Sequence, residues 1–166
     1  YLGHTGEVRF CPTFNDLIDH DTPGAFEVGT GGYGCNRAYL GGRNDLFGTS
    51  DKAARHTART ADPKSPTQTV MFTDAAFFKI VAGQNNMIEY SFAEPPFIQR
   101  FPGPPSTDRW APSIHFRHQQ KTHVAWADGH ANAHAMTFTH DQFEDFYRKL
   151  NLGWFGPESN ELFDLQ

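Results

Sequence analysis

Cysteine is scarce in this chain. Among 166 residues there are two, Cys11 and Cys35, and they lack the C-x-x-C spacing of a zinc ribbon or a thioredoxin-type pair. Lys and Arg do not cluster, and the net charge is −5 with His neutral. A phosphate backbone needs a concentrated basic footprint, so nucleic acid is not an expected partner. The glycine-rich GTGGYG does not match G-x-x-x-x-G-K-[ST], which excludes a phosphate loop. No serine sits in a G-x-S-x-G elbow, and Asp and Glu are too scattered for spacing to nominate a glycosidase pair. An enzyme is therefore not expected. N-x-[ST] sequons are missing, and no run approaches the ~20 apolar residues that span a bilayer.

Loop-forming and aromatic residues are plentiful instead. Gly 15 and Pro 11 favour a loop-rich β protein over a helical bundle, while 16 Phe and 3 Trp supply bulky core anchors. The length suits one domain over residues 1–166. The nine His would carry the net charge toward zero as pH falls from about 7 to 5, making association through this surface pH-sensitive.

GEVRFCP reads as a strand ended by Pro12, Phe14–Ile18 as a helical turn, and Asp21–Gly24 as a turn. GTGGYGCN is too glycine-rich for a strand interior and marks a bend or a close backbone approach. Residues 41–68 form the longest polar stretch, with a short helix expected from Ser50 to Arg59, capped by Ser50 or Asp51. Asn44, Asp45 and Asp51 offer oxygen ligands of the kind calcium prefers but lack EF-hand spacing. Thr69–Asp74 is the central-strand candidate, and the apolar runs after it continue a β-meander. In the proline-rich segment that follows, Phe97, Phe101 and Trp110 either cover the domain's own sheet or form a subunit contact. Thr139, with Gln142 as capping-box partner, predicts a helix to about Leu150. Its apolar stripe would be Phe143, Phe146, Tyr147 and Leu150. The tail from about 151 to 166 should tuck Trp154, Phe155 and Phe163 against the body or a neighbour. The fold class is thus α+β: an antiparallel sheet with a C-terminal amphipathic helix and long loops.

The stretch from His118 to Ala135 carries the densest pattern. Asp128-Gly129 between two alternating runs signals a two-residue hairpin, with Ala125 opposite Asn132 and His123 opposite His134. Period-two alternation then puts Val124, Trp126, Ala131 and Ala133 on one face and His123, His130, Asn132 and His134 on the other. On that polar face His118, His123, Asp128, His130 and His134, with His115 and Asp74 nearby, are candidate ligands for zinc or calcium. The competing reading is that His118 bonds Asp128 or nearby backbone and braces the hairpin.

The spacing His118, nine residues, Asp128-Gly129 resembles the H-X9-DG motif of bacterial prepilin-type (type IV pilin-like, pseudopilin-like) proteins. Three further segments resemble the same family in the same order: VRFCP at Val8–Pro12, GYGCNRAYLGG at Gly32–Gly42, and SPTQTVMFTDAAF at Ser65–Phe77. The resemblance implies an exported, extracellular or cell-surface domain acting structurally, as a filament subunit or pseudopilin-like component. Its partners would be copies of itself or other envelope and secretion proteins. Export implies an oxidising compartment, hence a Cys11–Cys35 disulfide rather than two separate thiols. The loop of roughly 25 residues would make it worth about 3 kcal/mol. Family members begin with a leader and an apolar helix, whereas this chain begins at Tyr1 without either. Membrane contact is expected only through such a segment, absent here. The alternatives are a metal- or glycan-binding module using the His-rich face or the aromatic loop, and a metal-dependent hydrolase with an open coordination site.

Overall fold

The computed structural model describes residues 10–18, 31–81, 83–100, 103 and 105–165. The expected turn at Asp21–Gly24, most of the GEVRFCP strand and Phe101 lie outside them. Pro12 opens a helix: α1 (Pro12–Asn15) has Cys11 at its N-cap and Pro at its first turn, where the missing N–H costs nothing. β1 (Tyr33–Cys35) follows, then α2 (Asn44–Phe47) and α3 (Asp51–Ala54). Ser50 does cap α3, its hydroxyl accepting the Ala53 amide at 3.4 Å, but the helix ends at Ala54 and not at Arg59. Asp45 is held by Arg43 at 2.7 Å, and Asn44 is buried.

β2 (Val70–Asp74) is central as expected. β3 (Phe77–Val81) and β4 (Gln84–Ile88) form a separate hairpin, as do β5 (Phe97–Gln99) and β6 (Pro105–Arg109). β7 (Ile114–His115), β8 (Lys121–Trp126), β9 (Ala131–Ala135), α4 (Glu144–Lys149) and β10 (Leu152–Gly153) complete the chain. The main sheet has the order β1-β2-β8-β9, antiparallel throughout.

The α+β expectation is overturned. The regular structure of the described residues is mostly antiparallel β-strand, and the α-helices are four to six residues long. The C-terminal helix fails at its start. The Thr139 hydroxyl donates to the Leu152 carbonyl at 2.8 Å instead of capping, and the His140 ring accepts the Gln142 amide. Phe143 (φ −136°) then separates a single 3-10 turn from α4. The would-be buried stripe stays partly in solvent, with Phe143 56% and Phe146 36% exposed.

One face of the main sheet builds the core. Val70, Val124 and Trp126 meet Tyr39, Phe116, Trp154, Phe155, Phe163 and Leu165. Trp154, Phe155 and Phe163 are at most 2% exposed, so these three expected assembly contacts are core residues, out of a neighbour's reach. Trp110 packs against the same core, and Phe97 lies under the Arg109 guanidinium, 4.7 Å from ring centroid to Cζ. Asn36 and Asn160 fasten the tail. Asn36 donates to Val70 and Phe163 carbonyls at 3.0 and 2.7 Å, and Asn160 donates to the Tyr39 hydroxyl and the Phe97 carbonyl.

Candidate functional site

The hairpin register decides which side chains share a face. Gly129 adopts φ +93° and donates to the Trp126 carbonyl, while the Trp126 amide donates to the His130 carbonyl. The loop is therefore three residues, 127–129, and Ala125 opposes Ala131, not Asn132. A shift of one residue exchanges the faces of one strand relative to the other. Thr122, Val124 and Trp126 share their face with His134 and Asn132, while His123 lies opposite Ala133 on the outer face. The single polar face carrying His123, His130, Asn132 and His134 does not form.

Two of these histidines serve Trp126 and its surroundings. The His130 ring stacks on Trp126 at 5.7 Å and meets Asp128 Oδ1 at 2.6 Å. The backbone amide and ring of His130 hold Asp128 below the usual carboxylate range. Asp128 thus turns to His130, and the brace from His118 to Asp128 is not the one found. His134 stacks on Phe155 at 4.7 Å, where burial lowers its pKa. His115 is buried beside Phe14, and burial, reinforced by Arg117, pushes its pKa down to about 4, so it stays neutral at physiological pH.

His118 goes elsewhere. It enters a two-residue turn in which Gln119 and Gln120 both take positive φ (53° and 62°), closed by reciprocal bonds of 3.0 Å between the His118 and Lys121 backbones. That turn sets His118 and His123 on the outer face, ring centroids 4.7 Å apart. Beside them Asp74 ends β2, its carboxylate 1% exposed and shared among several donors. Arg117 Nη2 reaches Oδ1 at 2.7 Å, His118 Nε2 lies 3.4 Å from Oδ1, and the His123 amide donates to Oδ2 at 2.7 Å.

Cys11 completes the cluster. Its sulfur lies 3.5 Å from His118 Nε2 and accepts from Arg117 Nε at 3.3 Å. Cys11 packs with Phe14, Ala76 and Leu152, whereas Cys35 pairs with Phe72 in the sheet. The two sulfurs are not joined, and the expected disulfide does not form. Arg117 also donates to the Gly32 and Ala75 carbonyls at 2.7 and 3.3 Å. Gly32 must be glycine: its φ is +81° and an added Cβ would lie 2.5 Å from the Phe14 ring.

Cys11, Asp74 and His118 place one ligand atom each within 4.8 Å of one another, a trio able to hold a metal ion and the only such group among the described residues. The sequence offers Asp74 and His118 as candidate ligands, whereas Cys11 stands out there only as half of a disulfide. The four family-like segments each send a group to this point: Cys11, Gly32, Asp74 and His118. A Cys–His–Asp relay needs the imidazole to use two different nitrogens. Here Nε2 alone faces both the sulfur and the carboxylate, which is convergence on a common centre rather than a relay. An open groove of about 570 Å³, lined by Thr13, Arg117, His118, Gln119, Lys121 and His123, borders the cluster. No family model, curated protein or solved structure matches the chain.

Proposed function

We propose that the chain is the globular part of an exported structural subunit that assembles with copies of itself, as an envelope or extracellular filament or as a pseudopilin-like component. One observation carries this reading: among the described residues, the outer face of the main sheet exposes two aromatic rings and a run of alanines beside Lys121 and His123. Strand pairing puts Tyr33, Phe72, Ala125, Ala131, Ala133 and Ala135 there. Phe72 is 43% and Tyr33 40% exposed. Small alanines beside exposed aromatics suit close approach of a second surface, and contiguous exposed apolar area marks interaction sites. Among the described residues β9 also stands at the sheet edge, with small, uncharged residues apart from His134 and no proline, a template for further pairing. Among the described residues no helix is long and apolar enough to cross a membrane. The test is sedimentation velocity over a concentration series, with negative-stain imaging of the heaviest fractions. Reversible association that Phe72→Asp abolishes is the expected result. A monomer at every concentration overturns the reading.

A metal-binding module is the second reading, favoured by the Cys11–Asp74–His118 trio. Of the two ions considered, zinc suits this donor set, since sulfur and imidazole are poor ligands for calcium. Zinc uptake measured on chelator-stripped protein tests it, and failure to bind sinks it.

A further inference from the structure

Resting on the second reading, we propose that the outer-face cluster is a closed, four-donor zinc site in which His123 joins Cys11, Asp74 and His118. Two edges of the trio already have the dimensions of such a site, and all three ligand atoms lie within 4.8 Å of one another. With Zn–S near 2.3 Å and Zn–N or Zn–O near 2.0–2.2 Å, tetrahedral angles put ligand atoms about 3.4–3.6 Å apart. The Cys11 sulfur and His118 Nε2 are 3.5 Å apart, and His118 Nε2 and Asp74 Oδ1 are 3.4 Å apart.

His123 is the fourth ligand by position and by freedom. Its Nδ1 already lies 3.4 Å from Asp74 Oδ2, and its ring stands beside that of His118. Its side chain is 60% exposed, and its cross-strand partner is only Ala133, so the imidazole can turn inward without displacing a packed neighbour. The turn that creates this juxtaposition is strained. Gln119 and Gln120 both occupy the left-handed region that glycine or asparagine would adopt more readily. Such strain persists where surrounding structure holds it, and it clusters at binding sites. Here its effect is to place His118 and His123 on the same side, next to β2.

A dication bound by the Cys11 thiolate, the Asp74 carboxylate and two neutral imidazoles gives a coordination sphere of zero net charge, with the Arg117 guanidinium beside it as the one remaining positive charge of the cluster. The Cys11 thiol loses its proton to solvent as it binds. Arg117 then acts from outside the coordination sphere. It keeps its bonds to Asp74 Oδ1 and the Cys11 sulfur, both of which have further lone pairs, while the Gly32 and Ala75 carbonyls fix the guanidinium. Bound this way, zinc ties the segment ahead of α1 to β2, β8 and the turn before β8.

Cobalt(II) reports coordination number by its visible absorption, which is strong for tetrahedral and weak for octahedral sites. The experiment titrates chelator-stripped, reduced protein with Co²⁺, then displaces it with Zn²⁺. One tetrahedral Co²⁺ per chain is expected, with a thiolate charge-transfer band that Cys35→Ser leaves in place and Cys11→Ser removes. His123→Ala should keep the band, weaken the tetrahedral absorption and lower affinity at least about tenfold. His123 is exposed, so this variant does not test folding. Absence of binding to the wild-type chain overturns the trio itself. Binding that His123→Ala leaves unchanged overturns the four-donor assignment alone, and binding without a thiolate band places the ion elsewhere and overturns both.

Discussion

Arg117 and Asp74 form an ion pair at 2.7 Å in which each side chain is only 1% exposed. A buried pair is not in itself strongly stabilising, because desolvation offsets much of the attraction. Removing one member, however, leaves an uncompensated charge and costs about 3–5 kcal/mol. Arg117→Ala should therefore lower unfolding free energy by about that amount in urea titrations. The joint replacement Asp74→Asn with Arg117→Met should cost clearly less than the sum of the singles. A loss under about 1 kcal/mol for Arg117→Ala would mean that solvent reaches Asp74.

His115 makes the fold acid-sensitive. Its pKa is about 4 in the folded chain against an ordinary 6.5, chiefly because burial disfavours the charged ring. Between those values the unfolded chain binds a proton that the folded chain refuses. Stability is therefore fully present above about pH 6.5, falls as pH drops toward 4, and loses on the order of 3 kcal/mol in that window. Urea denaturation at half-unit pH steps reads the slope directly. His115→Gln should flatten it, and an unchanged slope would assign the acid sensitivity to other groups.

Much of the outer architecture was legible along the chain, because strands announce themselves locally. Alternation located β8 and β9, and the run before Asp74 located β2. Turn length is not encoded in alternation: Asp128-Gly129 fits a two-residue loop as well as the three-residue loop observed, and that single residue moved His123 away from His130 and His134. The C-terminal helix misled for a different reason. Its cap residue Thr139 had a stronger use, donating to the Leu152 carbonyl, which no local pattern shows. The cluster of Cys11, Asp74 and His118 joins residues more than 40 positions apart, so no spacing rule could assemble it.

Gly129 gives a direct test of the loop. At φ +93°, with nothing within 4 Å of an added Cβ, a substitution there meets conformational strain but no clash. Gly129→Ala should cost about 1–2 kcal/mol. Gly83, equally open at φ +80°, is the matched control in the β3–β4 hairpin. A neutral Gly129→Ala would show that the loop relaxes into another turn type.

Asn36 holds the tail to the centre of the sheet. Its amide, 0% exposed, donates to the Val70 and Phe163 carbonyls, and its oxygen accepts the Tyr39 amide at 3.3 Å. Asn36→Ala removes the donor that two buried acceptors share and should cost about 2–3 kcal/mol. The loss should be local first. The Val70 amide donates to the Leu162 carbonyl at 2.7 Å, so loosening the tail exposes that amide before the sheet opens. Hydrogen exchange at Val70 should accelerate roughly 10–100-fold while Val124, in the middle of β8, keeps its protection. If Val70 and Val124 lose protection together, the tail and sheet unfold as one unit, and Asn36 contributes to global stability without acting as a separate latch.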